Sequence, residues 1–230
     1  CISNILVSGW LIFIIKTILS VLIYMCLFLV LFHKDENYKY FYNCIKGKYM
    51  IEIKNLCFGY KKSKNVLENV NLNLKKGCIH GLFGKNGVGK TTLLKLIGGL
   101  QFPDKGEVKV GKFTPSERKV AFLADMSFIS EELYDSHLTI EKYVKINSVF
   151  YPNFSQQDFE AYLKDFEIED TKQYLHKLSY GTKKKIFISF GLACHCKLIL
   201  LDEPTNGLDI PSKSQFRKVI LRAMSDETCV

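Results

Sequence analysis

Proline is scarce in this 230-residue chain, which has five, and no internal repeat or low-complexity tract breaks it up. Long disordered stretches are therefore excluded. Arginine is almost missing, with 3 residues against 29 lysines. Paired cysteines are missing too: the eight cysteines are scattered singly, and only Cys194-His195-Cys196 brings two close together. A Cys-x-Cys pair without a second pair does not make a zinc site. Reduced, mostly buried thiols of a cytosolic protein suffice. What remains is a chain with 47% hydrophobic residues, enough for one sizeable α/β domain plus a subdomain. Its net charge of +9 falls to +6 without residues 1–49 (27 basic minus 21 acidic). The basic stretches Lys61-Lys62-Ser63-Lys64 and Lys183-Lys184-Lys185 read as solvated faces of a lysine-biased protein rather than a nucleic-acid surface.

Three short segments fit one chemical task. The first is Gly84-Lys85-Asn86-Gly87-Val88-Gly89-Lys90-Thr91, followed by Thr92. Its glycines allow successive N–H groups to turn inward onto phosphate oxygens. Gly81-Leu82-Phe83 before it reads as the end of a buried strand, and 91–97 after it reads as a helix. Phosphates would then meet a positive helix N-terminus. Lys90 is expected to reach the β- and γ-phosphates, and the Thr91 hydroxyl to hold Mg²⁺. The pattern arises by chance in roughly one chain in a hundred of this length.

The second segment, Leu198-Ile199-Leu200-Leu201-Asp202-Glu203-Pro204, reads as a strand buried on both faces and ending in two acids. Such carboxylates are costly to bury unless a cation meets them. Asp202 is expected to orient the magnesium shell and Glu203 to activate the attacking water. The third, Leu178-Ser179-Tyr180-Gly181-Thr182, is a Ser/Gly turn that a single nucleotide site would not need.

At this point the chain resembles the ATP-binding subunit of an ABC transporter over residues 50–230. Leu178 to Thr182 is similar to that family's Leu-Ser-Gly-Gly-Gln signature, with Tyr180 and Thr182 in place of Gly and Gln. The stretch Pro204 to Asp209 is similar to the run into the D-loop, with Asp209 at the subunit-contact position. Tyr60 occupies the place where the family stacks an aromatic on adenine. The γ-phosphate-sensing Gln position falls on Glu131, with Asp125 as the competing alignment. A Glu accepts from a metal-bound water but cannot donate as an amide does.

The resemblance implies an α/β P-loop NTPase fold of the ABC type, with a parallel-sheet core, a small antiparallel β subdomain and a helical subdomain at about 138–177. Short strands are expected at 51–54, 66–74 and 78–83, and helices at 140–144 and 159–166. The resemblance further implies an ATP- and Mg²⁺-dependent ATPase at the cytoplasmic face of a membrane. Its partners would be a second identical subunit, which closes Ser179 and Gly181 over the γ-phosphate, and a permease that docks beyond Glu131. Nucleic acid is not an expected partner. A non-transport ABC ATPase acting on nucleic acid or the ribosome is the alternative, but one P-loop and no long heptad insertion speak against it. The Asn206-Gly207-Leu208-Asp209 form resembles export-type subunits, and the permease would carry the substrate identity.

Both ends depart from the family pattern. Residues 5–32 are nearly all apolar and would span about 42 Å as a helix, against roughly 30 Å of bilayer core. Lys34, Lys39, Lys46 and Lys48 after them would keep the ATPase on the cytoplasmic side. The competing reading is that residues 1–49 are translated upstream sequence. Met50 resembles the usual subunit start, and Lys46-Gly47-Lys48-Tyr49 is codable as a ribosome-binding site. N-terminal sequencing of the natural protein separates the two, since Trp10 is present only in the first. At the other end the family places a switch histidine on the strand after the D-loop helix, whereas the chain runs Leu221 to Val230 and stops. His176 and His195 lie before the acidic strand and cannot stand in for it. These 230 residues are therefore expected to bind ATP but turn it over slowly; a phosphate-release assay showing a full family-like rate refutes this.

Overall fold

The structure, a computed structural model, describes residues 48–60 and 65–230. The apolar stretch 5–32 and the basic run 61–64 lie outside the described residues. No helix among the described residues is long and apolar enough to cross a membrane.

Alternation builds the first sheet. In strand β1 (Tyr49–Phe58) the side chains of Ile51, Ile53, Leu56 and Phe58 point into the core, and register shifts after Ile53 keep the last two inward. Strands β2 (Leu67–Lys75) and β3 (Lys105–Val110) flank β1 antiparallel, in the order β2-β1-β3. Helix α1 (Lys90–Ile97) buries Leu93, Leu96 and Ile97 in the same apolar cluster as Ile51, Ile53, Val108 and Val110. The helix that follows the glycine loop is thus seated on this sheet.

The parallel part is built around strand β5 (Leu198–Leu201), whose first three residues are buried. It pairs in parallel with β4 (Met126–Ile129), register Met126 with Leu198 and Ile129 with Leu201. A short helix, α2 (Val120–Leu123), leads into β4. On the other flank of β5, Cys229 bridges to Leu198 and to Cys78, both in parallel. The expected strand at 78–83 is corrected here. Its pairing ends with the His80 N–H bonded to the Val230 carbonyl at 2.7 Å. Gly81-Leu82-Phe83 then leave the ladder, and Phe83 is 93% exposed rather than buried. The segment lines a cavity of about 760 Å³.

Helices α3 (Ile140–Asn147) and α4 (Gln156–Asp165) follow β4, with a 3₁₀ turn at Ser148–Phe150 between them. Side chains of Thr139 and Ser155 cap them by accepting from the Lys142 and Asp158 N–H groups. Phe159, Tyr162, Leu163 and Phe166 join Ile186, Ile188 and Leu192 of α5 (Tyr180–Ala193) in a second core. Helix α6 (Ile210–Ala223) adds Phe216, Val219 and Ile220. Within α5, Gly191 allows a close approach to the sheet. A Cβ there would stand 2.6 Å from both Ser127 Oγ and Ile129 Cδ1.

The solvated-face reading of Lys183-Lys184-Lys185 is also corrected. Lys184 has no exposed surface at all, and Lys183 pairs with Asp135 at 2.6 Å. The helical turn aims residue 184 along the inner face shared with Ile188 and Gly191, four and seven residues on. Cys57, Cys194, Cys196 and Cys229 carry free thiols, the last three buried.

Candidate functional site

The glycine loop crosses from the end of the 78–80 ladder to α1 with residues 84–88 exposed. Gly89 is the N-cap in a left-handed conformation, φ 98°, against Val66. A Cβ at that position would lie 2.9 Å from Val66 Cγ1, so the turn accepts only glycine. Lys85, Asn86, Gly87 and Val88 stand open to solvent between Gly84 and this cap. The Lys90 ammonium folds back over the loop, donating to the carbonyls of Gly84 at 2.9 Å and Lys85 at 3.3 Å. Thr92 is buried, and its hydroxyl shares a 3.1 Å hydrogen bond with that of Tyr60. The Tyr60 ring meets Phe58 edge-on and is 46% exposed beside the helix start.

The acidic strand end arrives at the same place. Asp202 is 4% exposed and accepts a 2.9 Å hydrogen bond from the Thr91 hydroxyl. Glu203 follows in a left-handed conformation, φ 44°, with a carboxylate oxygen 3.6 Å from the Lys90 ammonium. A non-glycine residue pays about 1–2 kcal/mol for that conformation, so its neighbours must hold it there. Five of the expected residues, Lys90, Thr91, Thr92, Asp202 and Glu203, are therefore joined through direct contacts to one another or to Tyr60 and Gly84.

Register distinguishes the two alternatives for the position after β4. Parallel pairing continues past the strands, with the Asp202 N–H bonded to the Ile129 carbonyl at 2.9 Å. Glu131 therefore leaves the sheet at the end where Asp202 and Glu203 leave it. Asp125 lies at the opposite end, where it accepts from the Lys197 N–H at 2.9 Å. Glu131 is held twice: its side chain accepts from Asn206 Nδ2 at 3.0 Å, and its carbonyl accepts from the Tyr180 hydroxyl at 2.7 Å.

Ser179, Gly181 and Asp209 make local contacts instead. Ser179 is the N-cap of α5, its hydroxyl 2.8 Å from that of Thr182. Gly181 abuts the Gly207 carbonyl, and the Tyr180 ring lies over Gly207, leaving no room for a side chain. Asp209 caps α6 by accepting from the Ser212 N–H at 2.8 Å. Hydrogen bonds from Ser212 hold its carboxyl below the usual carboxylate range. His195 pairs with Asp158 at 2.8 Å, away from these groups.

Three participants escaped the sequence reading: Lys184, Asn206 and the tying role of Tyr180. The Lys184 ammonium donates to the carbonyls of Ser130 at 3.4 Å and Asp202 at 3.3 Å. The inward face shared with Ile188 and Gly191 was the signal for it. Nothing in the sequence pattern marks Asn206, whose role depends on where Glu131 falls.

A family profile described as "ABC transporter" matches residues 67–206. The ABC transporter ATP-binding protein YtrB of Bacillus subtilis is 33% identical over 183 residues, 77% of this chain and 59% of that protein. This chain thus spans well under two thirds of that relative's length. The SkfA peptide export ATP-binding protein SkfE of the same organism is 30% identical over 78% of this chain and 76% of its own length. Among solved structures, a putative ABC transporter ATP-binding protein from Pyrococcus furiosus superposes with a TM-score of 0.67 at 28% identity. That match covers 77% of this chain and 87% of the solved one.

The Tyr180 contact generates a prediction. Tyr180→Phe removes one exposed hydrogen bond and is expected to lower stability by no more than about 1 kcal/mol. Amide exchange over residues 130–136 should nevertheless rise, read by hydrogen-exchange mass spectrometry. Unchanged exchange there would show that the bond to the Glu131 carbonyl holds nothing in place.

Proposed function

We propose, because this chain belongs to the ABC transporter family, that it binds ATP with magnesium and hydrolyses it to drive transport through a partner permease. The observation that carries this reading is the contact between the two halves of the site. The Thr91 hydroxyl meets Asp202 at 2.9 Å, and Lys90 meets Glu203 at 3.6 Å.

In this reading the N–H groups of residues 84–91 receive the phosphates at the positive end of α1. Lys90, which now satisfies the carbonyls of Gly84 and Lys85, exchanges them for β- and γ-phosphate oxygens. A hydroxyl and a buried carboxylate in direct contact form the hard oxygen pair that suits magnesium, so Thr91 and Asp202 are the residues to hold it. A magnesium ion held by these two residues would offset charge on the phosphate oxygens. Glu203 takes the proton of the attacking water as general base. Glu131, fixed beside the acidic end, positions that water or senses the γ-phosphate. Tyr60, exposed at the helix start, offers its ring to the adenine.

The second half of the site comes from another copy of the chain. Ser179 and Gly181 of the partner subunit close on the γ-phosphate, a hydroxyl and an N–H at a helix start forming an anion site. Asp209, the N-cap of α6, is the residue that meets the partner in this reading. ATP then holds the pair together and hydrolysis releases it. Residues 50–230 form the ATP-binding domain, with 138–177 as its helical subdomain, docked at the cytoplasmic face of the membrane through the permease. Export is the direction we favour, from the Asn206 to Asp209 stretch and from the named role of SkfE.

Glu203→Gln keeps the shape of the site and removes the base. Light scattering should show this variant dimeric in saturating ATP and magnesium and monomeric without nucleotide. A variant that stays monomeric with ATP bound refutes the shared-site mechanism.

A further inference from the structure

A lysine with no exposed surface is costly unless its charge does something, and Lys184 is such a lysine. Burial pushes its ammonium down from the usual lysine range, while Glu131, Asp202 and Glu203 pull it back up. It has no carboxylate within ion-pair distance among the described residues; its hydrogen bonds go to two backbone carbonyls. Those carbonyls are not arbitrary. Ser130 and Asp202 are the residues at which β4 and β5 leave their ladder, one step past the Ile129–Leu201 rung. The Asp202 carbonyl belongs to the peptide plane that sets φ of Glu203, the residue held at 44°. The Ser130 carbonyl belongs to the plane that leads into Glu131.

We propose that Lys184 is a positioning residue: by bonding both carbonyls it fixes the peptide planes that aim Glu203 and Glu131, and it ties them to the α5 helix that starts at Ser179. This rests on the ATPase reading and deepens it. Lys184 touches neither nucleotide nor water in this role. Lys184 lies on the buried face of α5, and Gly191, two turns on along the same helix, lets that helix approach β4 closely. The Tyr180 ring, with its centroid 5.8 Å from the ammonium, covers the remaining side. A shift of α5 therefore moves Glu203 through one side chain. The turn expected to meet a partner's nucleotide is thereby linked to the carboxylate of its own subunit.

The test uses the full chain and two variants, Lys184→Met, which keeps the stem and loses the donor, and Lys184→Gln, which keeps an N–H donor without the charge. Binding is read with a fluorescent ATP analogue and chemistry by single-turnover phosphate release. Lys184→Met should bind the analogue within about twofold of wild type and release phosphate about 100-fold more slowly, the cost of a misplaced reacting group. Lys184→Gln should recover part of that loss. In a Glu203→Gln background most of the Lys184→Met loss should disappear, because only the share carried through Glu131 remains. A full additional loss there, an unchanged rate in Lys184→Met alone, or loss of cooperative melting in both variants overturns the proposal. A wild-type chain that fails to bind the analogue, or a Glu203→Gln variant with undiminished release, overturns the ATPase reading and this proposal with it.

Discussion

A single hydrogen bond, from the Thr91 hydroxyl to the Asp202 carboxylate, joins residues 111 positions apart in sequence. Everything else at the site is arranged around it. A carboxylate only 4% exposed costs several kcal/mol unless a donor meets it, and a bond to a charged acceptor returns about 1.5–3 kcal/mol. Thr91 sits on α1, which is packed on the antiparallel sheet; Asp202 ends β5, which lies in the parallel part. The contact therefore joins the two parts beside the glycine loop, and Lys90 to Glu203 is a second contact there.

Beyond this joint, backbone carbonyls anchor much of the far rim. Tyr180 bonds the Glu131 carbonyl and Lys184 the carbonyls of Ser130 and Asp202. Where the signature of the family carries the first of its two glycines, this chain carries an aromatic that covers Gly207 and reaches across to Glu131. The turn thereby gains a lateral tie. The peptide plane that precedes the strained Glu203 is held from outside the strand, by the Lys184 ammonium on the Asp202 carbonyl.

Much of this was legible in the residues. Helix α1 follows its glycines and β5 is a run of apolar residues with acids at the end, so both were plain from local pattern. Alternation in Ile51 and Ile53 likewise gave β1. The segment 78–83 misled because Ile79, Leu82 and Phe83 are apolar whether or not a neighbouring strand covers them, and pairing partners are not a local property. Lys184 misled for the opposite reason. Three consecutive lysines look solvated, yet a helix turns one of three toward the core, and its inward neighbours Ile188 and Gly191 were there to read. Which of Glu131 and Asp125 stands at the Asp202 end depends on the parallel pairing of β4 with β5, which no window of sequence contains. Asn206 was invisible because a loop amide acquires its role only from the residue placed opposite.

The parallel register of β4 and β5 also governs which edits this protein can absorb. Side chains alternate across a strand, so adding one residue between Leu201 and Asp202 would put the new side chain where Asp202 now meets Thr91 and displace that carboxylate. Lengthening the turn at 148–155, by contrast, would leave every rung of that ladder untouched. Length variation among descendants of this chain should accordingly gather in the helical block and spare the eight positions from Leu198 to Thr205.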